Sequence, residues 1–405
     1  MPDFAPFRGI RFRPGTDVTA CLAPPYDVIG PDLHQQLLDL HPHNTVRWIL
    51  GEEPGNPFAG DESYRRRAQL FEEWLRDGLL VREEQPCYYL YQHRFQDDEG
   101  CQRTYEGVLG AVRVQPWGEG VYPHEHVKTD VVDNLCDLLH AARFNAGVVQ
   151  LVLADSDSTF RSLIGQAPAE LLFEGKDWQG NHHRLLAIRD QTSMVAIAER
   201  LRAQPCVVAD GHHRYNAAQQ FQSRYPGPGS ERTLAIVGDL FQEGLRIGPT
   251  HRLVLWEPNA AVDPWQVCQH LAKVLDDQEG CEWQLLVPGR DPLQLRSRFD
   301  AGRPTLARCL EDELRAAHPE SRMEPFHDEE RARARMAQWP GTALFCRLPA
   351  VTKEEFWRRG SHHEVFPSKT TFFEPKIGTG LVAHWLEEDS WQDVDESVSL
   401  SESPP

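Results

Sequence analysis

The sequence contains no apolar run of about 20 residues, which is the length that a membrane-spanning helix requires. The start of the sequence, Met-Pro-Asp-Phe at 1–4, lacks the basic region and the apolar stretch of a secretory signal. These absences argue against the membrane-inserted and secreted classes. We therefore expect a cytoplasmic protein that has no membrane partner.

The sequence contains fewer basic than acidic residues. Lys and Arg number 42 against 61 Asp and Glu, which gives a formal net charge of −19. A broad nucleic-acid-binding surface needs clustered Lys and Arg, so we expect no nucleic-acid partner. A small cationic pocket is still compatible with this charge, because a handful of residues is enough to form one.

Cysteine pairs of the kind that bind zinc are absent too. The nine cysteines are scattered, odd in number and without any Cys-x-x-Cys spacing. This pattern argues against a disulfide framework and against a zinc site. We expect reduced thiols, as in the cytosol.

The composition that remains is typical of a soluble globular protein, with 40% hydrophobic and 25% charged residues over 405 positions. Such a length suits about two or three domains. We predict an N-terminal α+β region at 1–255, and we assign the chemistry of the chain to it on the residues described below. A C-terminal α+β region at 256–390 contributes Lys369, and an acidic, Ser-rich tail at 391–405 is predicted to be disordered.

Hydrophobic periodicity predicts both kinds of secondary structure. The helices are expected at 31–40, 61–78 (capped by Asp61), 133–144, 193–203 and 264–274, with a further one after residue 211. The strands are expected at 44–50, 87–95, 104–114, 147–154, 183–188, 206–210, 233–240 and 245–255. The mixture predicts an α+β (mixed α/β) fold with antiparallel-sheet elements and no regular series of βαβ units.

The segment 206–218 carries the densest set of chemically active side chains. A short apolar run leads into an Asp-Gly pair, and a helix then starts with two His and one Arg: Asp210, Gly211, His212, His213 and Arg214. A helix start presents outward-pointing N–H groups and partial positive charge, which suit a phosphate. The Arg side chain adds a fork of donors. We interpret the segment as an anion site; the alternative is a structural turn with surface histidines.

Three other segments are weaker candidates. His124 and Glu125, in Pro-His-Glu-His at 123–126, are suited to a metal site or a general base, and otherwise form a polar loop. Lys369 and Arg252 are cations that are able to reach a phosphate, and otherwise are structural. The His-His-Arg at 182–184 lacks an Asp-Gly pair and indicates an ordinary strand start. The sequence contains no P-loop and no G-x-G-x-x-G motif.

Five motifs follow one another along the chain. They are Ala-Pro-Pro-Tyr-Asp-Val-Ile at 23–29, Pro-His-Glu at 123–125, Ala-Asp-Gly-His-His-Arg-Tyr at 209–215, Pro-Thr-His-Arg at 249–252 and Pro-Ser-Lys-Thr-Thr-Phe-Phe-Glu-Pro-Lys at 367–376. Together they resemble the bacterial and archaeal family called domain of unknown function 1015, over residues 8–384. The name of that family assigns no activity.

A second, local resemblance concerns the Asp-Gly-His-His-Arg-Tyr motif at 210–215. It is similar to the Gly-x-x-Arg box of the ParB and sulfiredoxin superfamily, which starts a helix and holds nucleotide phosphates, and which includes kinases that act on free serine. The resemblance implies a ParB/sulfiredoxin-like core with Gly211 and Arg214 at the phosphate and His213 beside them. His212 stands where sulfiredoxin has cysteine, so the thiol mechanism of sulfiredoxin is not implied.

These observations together predict a nucleotide-dependent phosphotransferase, a kinase of a small, serine-like hydroxyl-bearing metabolite. Glu125 is the expected general base. His212 and Asp210 are the other expected catalytic residues. The residues expected to bind phosphate are Gly211, His213, Arg214, Lys369, His124 and Arg252. Asp210 and Glu125 are the expected ligands of a Mg²⁺ ion that accompanies ATP or another nucleoside triphosphate. The alternatives are a metal-dependent phosphoester hydrolase and a regulator that binds a nucleotide or metabolite without turnover. The sequence leaves the acceptor open and is compatible with a homo-oligomer.

Overall fold

The computed structural model describes residues 1–55, 60–97, 100–127, 129–298 and 304–386. Two compact units make up the chain: the first contains Met1–Arg246, Arg359–His363 and the segment from Pro375 onward, and the second contains Ile247–Arg358 and Glu364–Glu374. The tail predicted at 391–405 lies outside the described residues. In the described ranges, no helix combines the length and the apolar character needed to cross a membrane.

The first unit contains a large mixed sheet and the helices that cover it. Its strands are β1 (Phe4–Ala5), β2 (Ile10–Phe12), β3 (Leu80–Arg82), β4 (Tyr88–Gln96), β5 (Gln102–Arg113), β6 (Val121–Tyr122), β7 (Phe144–Asn145), β8 (Val149–Leu153), β9 (Ala169–Lys176), β10 (His182–Ile188), β11 (Cys206–Asp210) and β12 (Arg232–Asp239). Its helices are α1 (Pro31–Leu40), α2 (Val46–Ile49), α3 (Asp61–Arg76), α4 (Thr129–Ala142), α5 (Thr159–Gln166), α6 (Gln191–Arg202) and α7 (His212–Arg224).

The strand order in the large sheet is β6-β11-β8-β12-β5-β4-β10-β9, and β1 pairs with β5 beside this path. The pairs β6 with β11 and β8 with β12 are parallel, and the others are antiparallel. This mixture of strands and helices confirms the predicted mixed α/β class.

One face of the sheet is covered by α5 and α6. The apolar residues of α6 recur at the spacing of a helix face, and Met194, Ile197, Ala198 and Leu201 are all buried in one core with residues of β8 and β11. Asp190 caps the N-terminus of α6 and stabilises it, because its carboxylate accepts a hydrogen bond from the Ser193 N–H. A separate apolar cluster joins α4 to α7.

The elements of the second unit are β14 (His251–Trp256), α8 (Pro264–Leu275), β15 (Cys281–Leu286), β16 (Leu293–Ser297), α9 (Leu306–Ala317), β17 (Arg322–Phe326), α10 (Glu329–Gln338) and β18 (Thr342–Arg347). Its strands form an antiparallel sheet in the order β16-β15-β18-β14-β17. Helices α8 and α9 share a core with Trp256 and Trp283, and α10 contributes Ala332 to a second cluster. The remaining elements of the chain are β13 (Arg246–Gly248), α11 (Lys353–Gly360), β19 (Phe372–Glu374) and β20 (His384–Trp385).

The strand predicted at 44–50 is wrong, because this segment forms α2 instead. The side chain of Asn44 accepts from the Val46 N–H at 2.9 Å and donates to the carbonyls of Ala20 and Leu22. This local hydrogen bonding turns the chain where the β-branched residues favoured extension.

Two boundaries also differ from the prediction. The cap of α3 is Gly60, and Asp61 is the first helical residue with no capping bond from its side chain. The predicted strand at 245–255 is interrupted between β13 and β14, at Pro249, which has no N–H to give to a sheet. The residues 247–255, assigned from the sequence to the N-terminal region, lie in the second unit.

Candidate functional site

The candidate site lies where two parallel strands end at the same edge of the large sheet. Strand β6 pairs with β11 through Val121 and Cys206. The segments that follow these strands therefore leave the sheet side by side. The structure places Glu125 Oε1 3.8 Å from His212 Nδ1, and the predicted carboxylate and the predicted helix start do come together.

The turn between β11 and α7 requires glycine. Gly211 has φ +94°, in the left-handed region that other residues rarely adopt. A Cβ at this position would lie 3.1 Å from Arg214 Nε and 3.3 Å from the Cα of Val149. The glycine thus lets the chain reverse direction against its neighbours and start α7 at His212.

Asp210 occupies the centre of the site. Its Oδ2 lies 3.2 Å from Lys376 Nζ and 3.5 Å from Arg214 Nη2, and its Oδ1 accepts from the Gly211 N–H at 2.8 Å. Burial by itself would raise the pKa of Asp210, but the charges of Lys376 and Arg214 outweigh it and hold this pKa well below its usual range. Asp210 is therefore an anion at neutral pH.

This arrangement changes two predicted roles. The Gly211 N–H, expected to bind phosphate, donates to the Asp210 carboxylate. Asp210, expected to bind Mg²⁺, already contacts two cations and a backbone N–H. The protein's own carboxylate takes the place of an anion at the helix start.

The Arg214 side chain is held beside this carboxylate by contacts on several sides. Its side chain is 11% exposed, and its Nη1 donates to the Val148 carbonyl. A Cβ at Gly147 would lie 3.0 Å from Arg214 Cδ. The guanidinium therefore lies in a slot between two glycines, Gly147 and Gly211.

The histidines of the site have different surroundings. His124 is buried and its Nδ1 donates to the Val208 carbonyl. Burial lowers the pKa of His124 to about 4, so this imidazole is neutral at pH 7. The backbone N–H of His124 donates to His212 Nε2 at 3.2 Å, which leaves Nδ1 of His212 to carry the proton toward Glu125. His213 is half-buried in the first turn of α7.

Two residues that the sequence prediction missed complete the cluster. Lys376 is brought in by the backbone pairing of Thr379 with Ala23, in which the Thr379 N–H donates to the Ala23 carbonyl at 2.7 Å. Tyr26 lies three residues after Ala23, and its hydroxyl is close enough to Arg214 and Asp210 to interact with them electrostatically. Both belong to the sequence motifs at 23–29 and 367–376, but in the second motif Lys369 rather than Lys376 was predicted to bind phosphate.

An apolar cavity of about 70 Å³ adjoins this cluster in the first unit. Tyr26 and Arg214 contribute to its wall. The other lining residues are mostly apolar. Most come from α2, α4 and the segment around β7, and two come from α7 and β12: Trp48, Ile49, Leu135, Leu138, Leu139, Ala142, Phe144, Asn145, Ala146, Gly147, Ala217 and Thr233. The cluster therefore has a charged side and an apolar side.

Lys369 and Arg252 belong to the second unit. Arg252 is 3% exposed, its Nε donates to Glu311 Oε1 at 3.0 Å, and its Nη1 donates to the Lys369 carbonyl at 2.9 Å. Its charge is thus neutralised inside that unit, which favours a structural role over the predicted contact with phosphate. The cluster described above is built from the first unit.

The comparisons with known proteins give a family and a few distant likenesses. The model of a family described as "Protein of unknown function (DUF1015)" matches residues 4–322. The motif at 367–376, with Lys376, lies outside the matched range. No curated protein matched the chain.

Three solved structures are similar to parts of the chain. A conserved hypothetical protein from Pyrococcus furiosus has 15% identity and a TM-score of 0.35, over 69% of this chain and 94% of that chain. A free serine kinase in complex with AMP has 14% identity and a TM-score of 0.35, over 65% and 89%. SbnI with a C-terminal truncation, from Staphylococcus aureus, has 13% identity and a TM-score of 0.39, over 72% and 93%. These likenesses are too distant to transfer an activity.

Proposed function

From the premise that this chain belongs to the DUF1015 family, whose name assigns no activity, we propose that it is a nucleotide-dependent phosphotransferase. Its substrate is a small hydroxyl-bearing metabolite of the serine type. The observation that carries the proposal is the Asp210 carboxylate, held between Lys376 and Arg214 at the start of α7, with Glu125 and His212 next to it.

The two cations suit the phosphates of a nucleotide. A triphosphate concentrates negative charge, and transfer of its terminal group depends on positioning and on neutralising that charge. Lys376 and Arg214 supply two positive charges beside a helix N-terminus. Lys376 has a flexible stem and is 18% exposed, so it is the cation that exchanges Asp210 for a phosphate. Arg214 stays bound to Val148 and fixes the geometry.

Glu125 is the group we assign to the acceptor hydroxyl. A general base has to lie within hydrogen-bond distance of the proton that it removes. The carboxylate of Glu125 is 12% exposed and faces the proton-bearing nitrogen of His212. His212 is itself oriented by the backbone N–H of His124. We therefore assign His212 the role of a positioning residue for Glu125.

A magnesium ion fits this site only in part. Mg²⁺ prefers oxygen ligands and binds through one or two carboxylates together with phosphates and waters. Asp210 does not fit, because Lys376 and Arg214 already compensate its charge. Glu125 offers a carboxylate of the right type and is the protein residue that would hold the ion. When bound with the nucleotide, Mg²⁺ neutralises the charge of the phosphates.

The proposal is tested with the purified full chain, ATP, Mg²⁺ and a pool of amino acids, followed by mass spectrometry and phosphorus NMR. A kinase produces ADP and one phosphorylated amino acid. Release of inorganic phosphate without any acceptor would assign a hydrolase instead. Tight nucleotide binding with neither product would assign a regulator.

The variant Glu125→Gln tests the assignment of the base. We expect turnover to fall by about 10²-fold or more, because general-base catalysis contributes on that order, and nucleotide binding measured without Mg²⁺ to persist. The exposed Glu119 provides the matched control, and Glu119→Gln should keep full turnover. Unchanged turnover in Glu125→Gln would show that Glu125 is not the base.

A further inference from the structure

A second cluster of metal-ligating side chains lies in the first unit, on other strands than the candidate active site. His93 in β4 and His183 in β10 are directly opposite each other in the antiparallel register. Asp177 follows β9, which pairs with β10. One ligand atom from each of the three residues lies within 4.8 Å of the others.

The three side chains are largely removed from water. His93 is 5% exposed, His183 is 3% exposed, and the side chain of Asp177 is 11% exposed. The rings of His93 and His183 are 4.4 Å apart between centroids. A carboxylate and two imidazoles so close together and so well buried need compensating polar partners.

His93 does not find such a partner among the described residues. Both of its ring nitrogens are buried and accept or donate no hydrogen bond there. An imidazole with two buried, unpaired nitrogens is costly unless a missing group satisfies one of them. This is the observation that points to a ligand.

His183 and Asp177 are already oriented for a common partner. The Tyr91 hydroxyl lies 2.8 Å from His183 Nδ1, and His183 Nε2 lies 3.2 Å from Asp177 Oδ2. Oδ1 of Asp177 accepts from the N–H groups of Gln179 and Asn181, both at 2.9 Å, which fixes the carboxylate in its turn. A second partner on the far ring nitrogen is what orients a metal-binding histidine in known sites.

We propose that His93, His183 and Asp177 bind a divalent transition-metal ion, with Tyr91 orienting His183. Two imidazoles and one carboxylate form a donor set that suits Zn²⁺ or Fe²⁺, whereas Mg²⁺ and Ca²⁺ prefer oxygen ligands alone. The ion bridges β4, β10 and the turn after β9. Three protein ligands leave a coordination position for water or another molecule.

The test uses the full chain, freed of metal by dialysis against a chelator and titrated with Zn²⁺ in competition with a chromophoric chelator. A parallel titration uses Fe²⁺ without oxygen and measures how strongly the site discriminates between the two ions. We expect the wild type to bind one equivalent of Zn²⁺ tightly. The affinity for Zn²⁺ should be at least about tenfold weaker in His93→Gln and in Asp177→Asn. Asp177→Asn keeps the oxygen that holds the turn, so it decides the case if His93→Gln does not fold.

The control is His182→Gln, at the neighbouring position, where strand alternation directs the side chain to the opposite face. It should keep the tight equivalent, and so should Glu125→Gln, which separates this site from the proposed active site. X-ray absorption of the loaded chain should show imidazole and oxygen ligands. A wild-type chain that takes up no equivalent, or ligand variants that bind as the wild type does, would overturn the proposal.

Discussion

At the scale of single residues, the charge balance around Asp210 decides what the site is able to bind. Asp210 is paired with Lys376 and Arg214, so these three side chains together carry one more positive than negative charge. Since the two cations lower the pKa of Asp210, its stabilising contribution is present at neutral pH and is lost only in strong acid. In the absence of a bound anion, the ion pairs with Asp210 hold the side chains of Lys376 and Arg214 in place.

The variant Lys376→Met tests this balance. We expect nucleotide affinity to fall at least about tenfold, because one charge-assisted contact is worth about 1.5–3 kcal/mol. The fold should survive, since Arg214 still compensates Asp210. Isothermal titration with ATP and with ADP measures the affinity. Lys273→Met, at an exposed position in α8, serves as the control, and equal affinities in the two variants would contradict the assignment of Lys376.

At the scale of elements, the sequence motif at 209–215 corresponds to the end of strand β11, the glycine turn and the start of helix α7. The turn depends on the left-handed backbone of Gly211. The parallel neighbour β6 then delivers His124 and Glu125 to the same edge. A change in the turn is therefore expected to disturb both stability and the site.

Gly211→Ala is expected to destabilise the protein by about 1–2 kcal/mol, the cost of a left-handed conformation for a residue with a Cβ, and to displace Arg214. Gly165→Ala is the control, because this glycine lies in α5 and an added Cβ would meet no atom within 4 Å. We expect this variant to be more stable than the wild type by about 0.5–1 kcal/mol, since alanine is favoured over glycine inside a helix. Urea unfolding at pH 7 measures both. A Gly211→Ala protein as stable as the wild type would contradict the strained turn.

At the scale of the whole molecule, buried neutral histidines make stability depend on pH. His384 is fully buried in the first unit, near Arg232 and Arg82, and its Nδ1 lies 3.4 Å from Asn145 Oδ1. Burial, assisted by the two guanidinium groups, lowers the pKa of His384 to about 3. The unfolded chain takes up this proton at a pH near 6.5, and the folded chain does not.

We therefore expect His384 to add full stability above pH 6.5 and to lose it progressively as the pH falls toward 3, by about 1.4 kcal/mol per pH unit. His384→Gln should be less stable than the wild type at pH 7 and should lose less stability between pH 6.5 and pH 5. Urea unfolding across this range gives the two slopes. His126→Gln, at an exposed position, should keep the wild-type slope, and identical slopes in all three proteins would refute the expectation.

Local sequence determined a large part of this protein: the mixed α/β class, most helices, the paired strands at 88–96 and 102–113, and the turn at Asp210 and Gly211 that starts α7. These features depend on neighbours within a few residues, through periodicity, glycine conformation and turn chemistry. The helix at Val46–Ile49 was not predicted, because the Asn44 side chain that accepts from the Val46 N–H is itself held by the remote carbonyls of Ala20 and Leu22.

Only the tertiary structure decided which distant side chains meet. It brought Lys376 rather than Lys369 to Asp210, turned Arg252 toward Glu311, and set His93 opposite His183. Such contacts follow from long-range strand pairing and backbone register, in which a shift of one residue sends every side chain to the other face. Residue type gives a side chain its chemistry, but the pairing of remote segments gives it a partner.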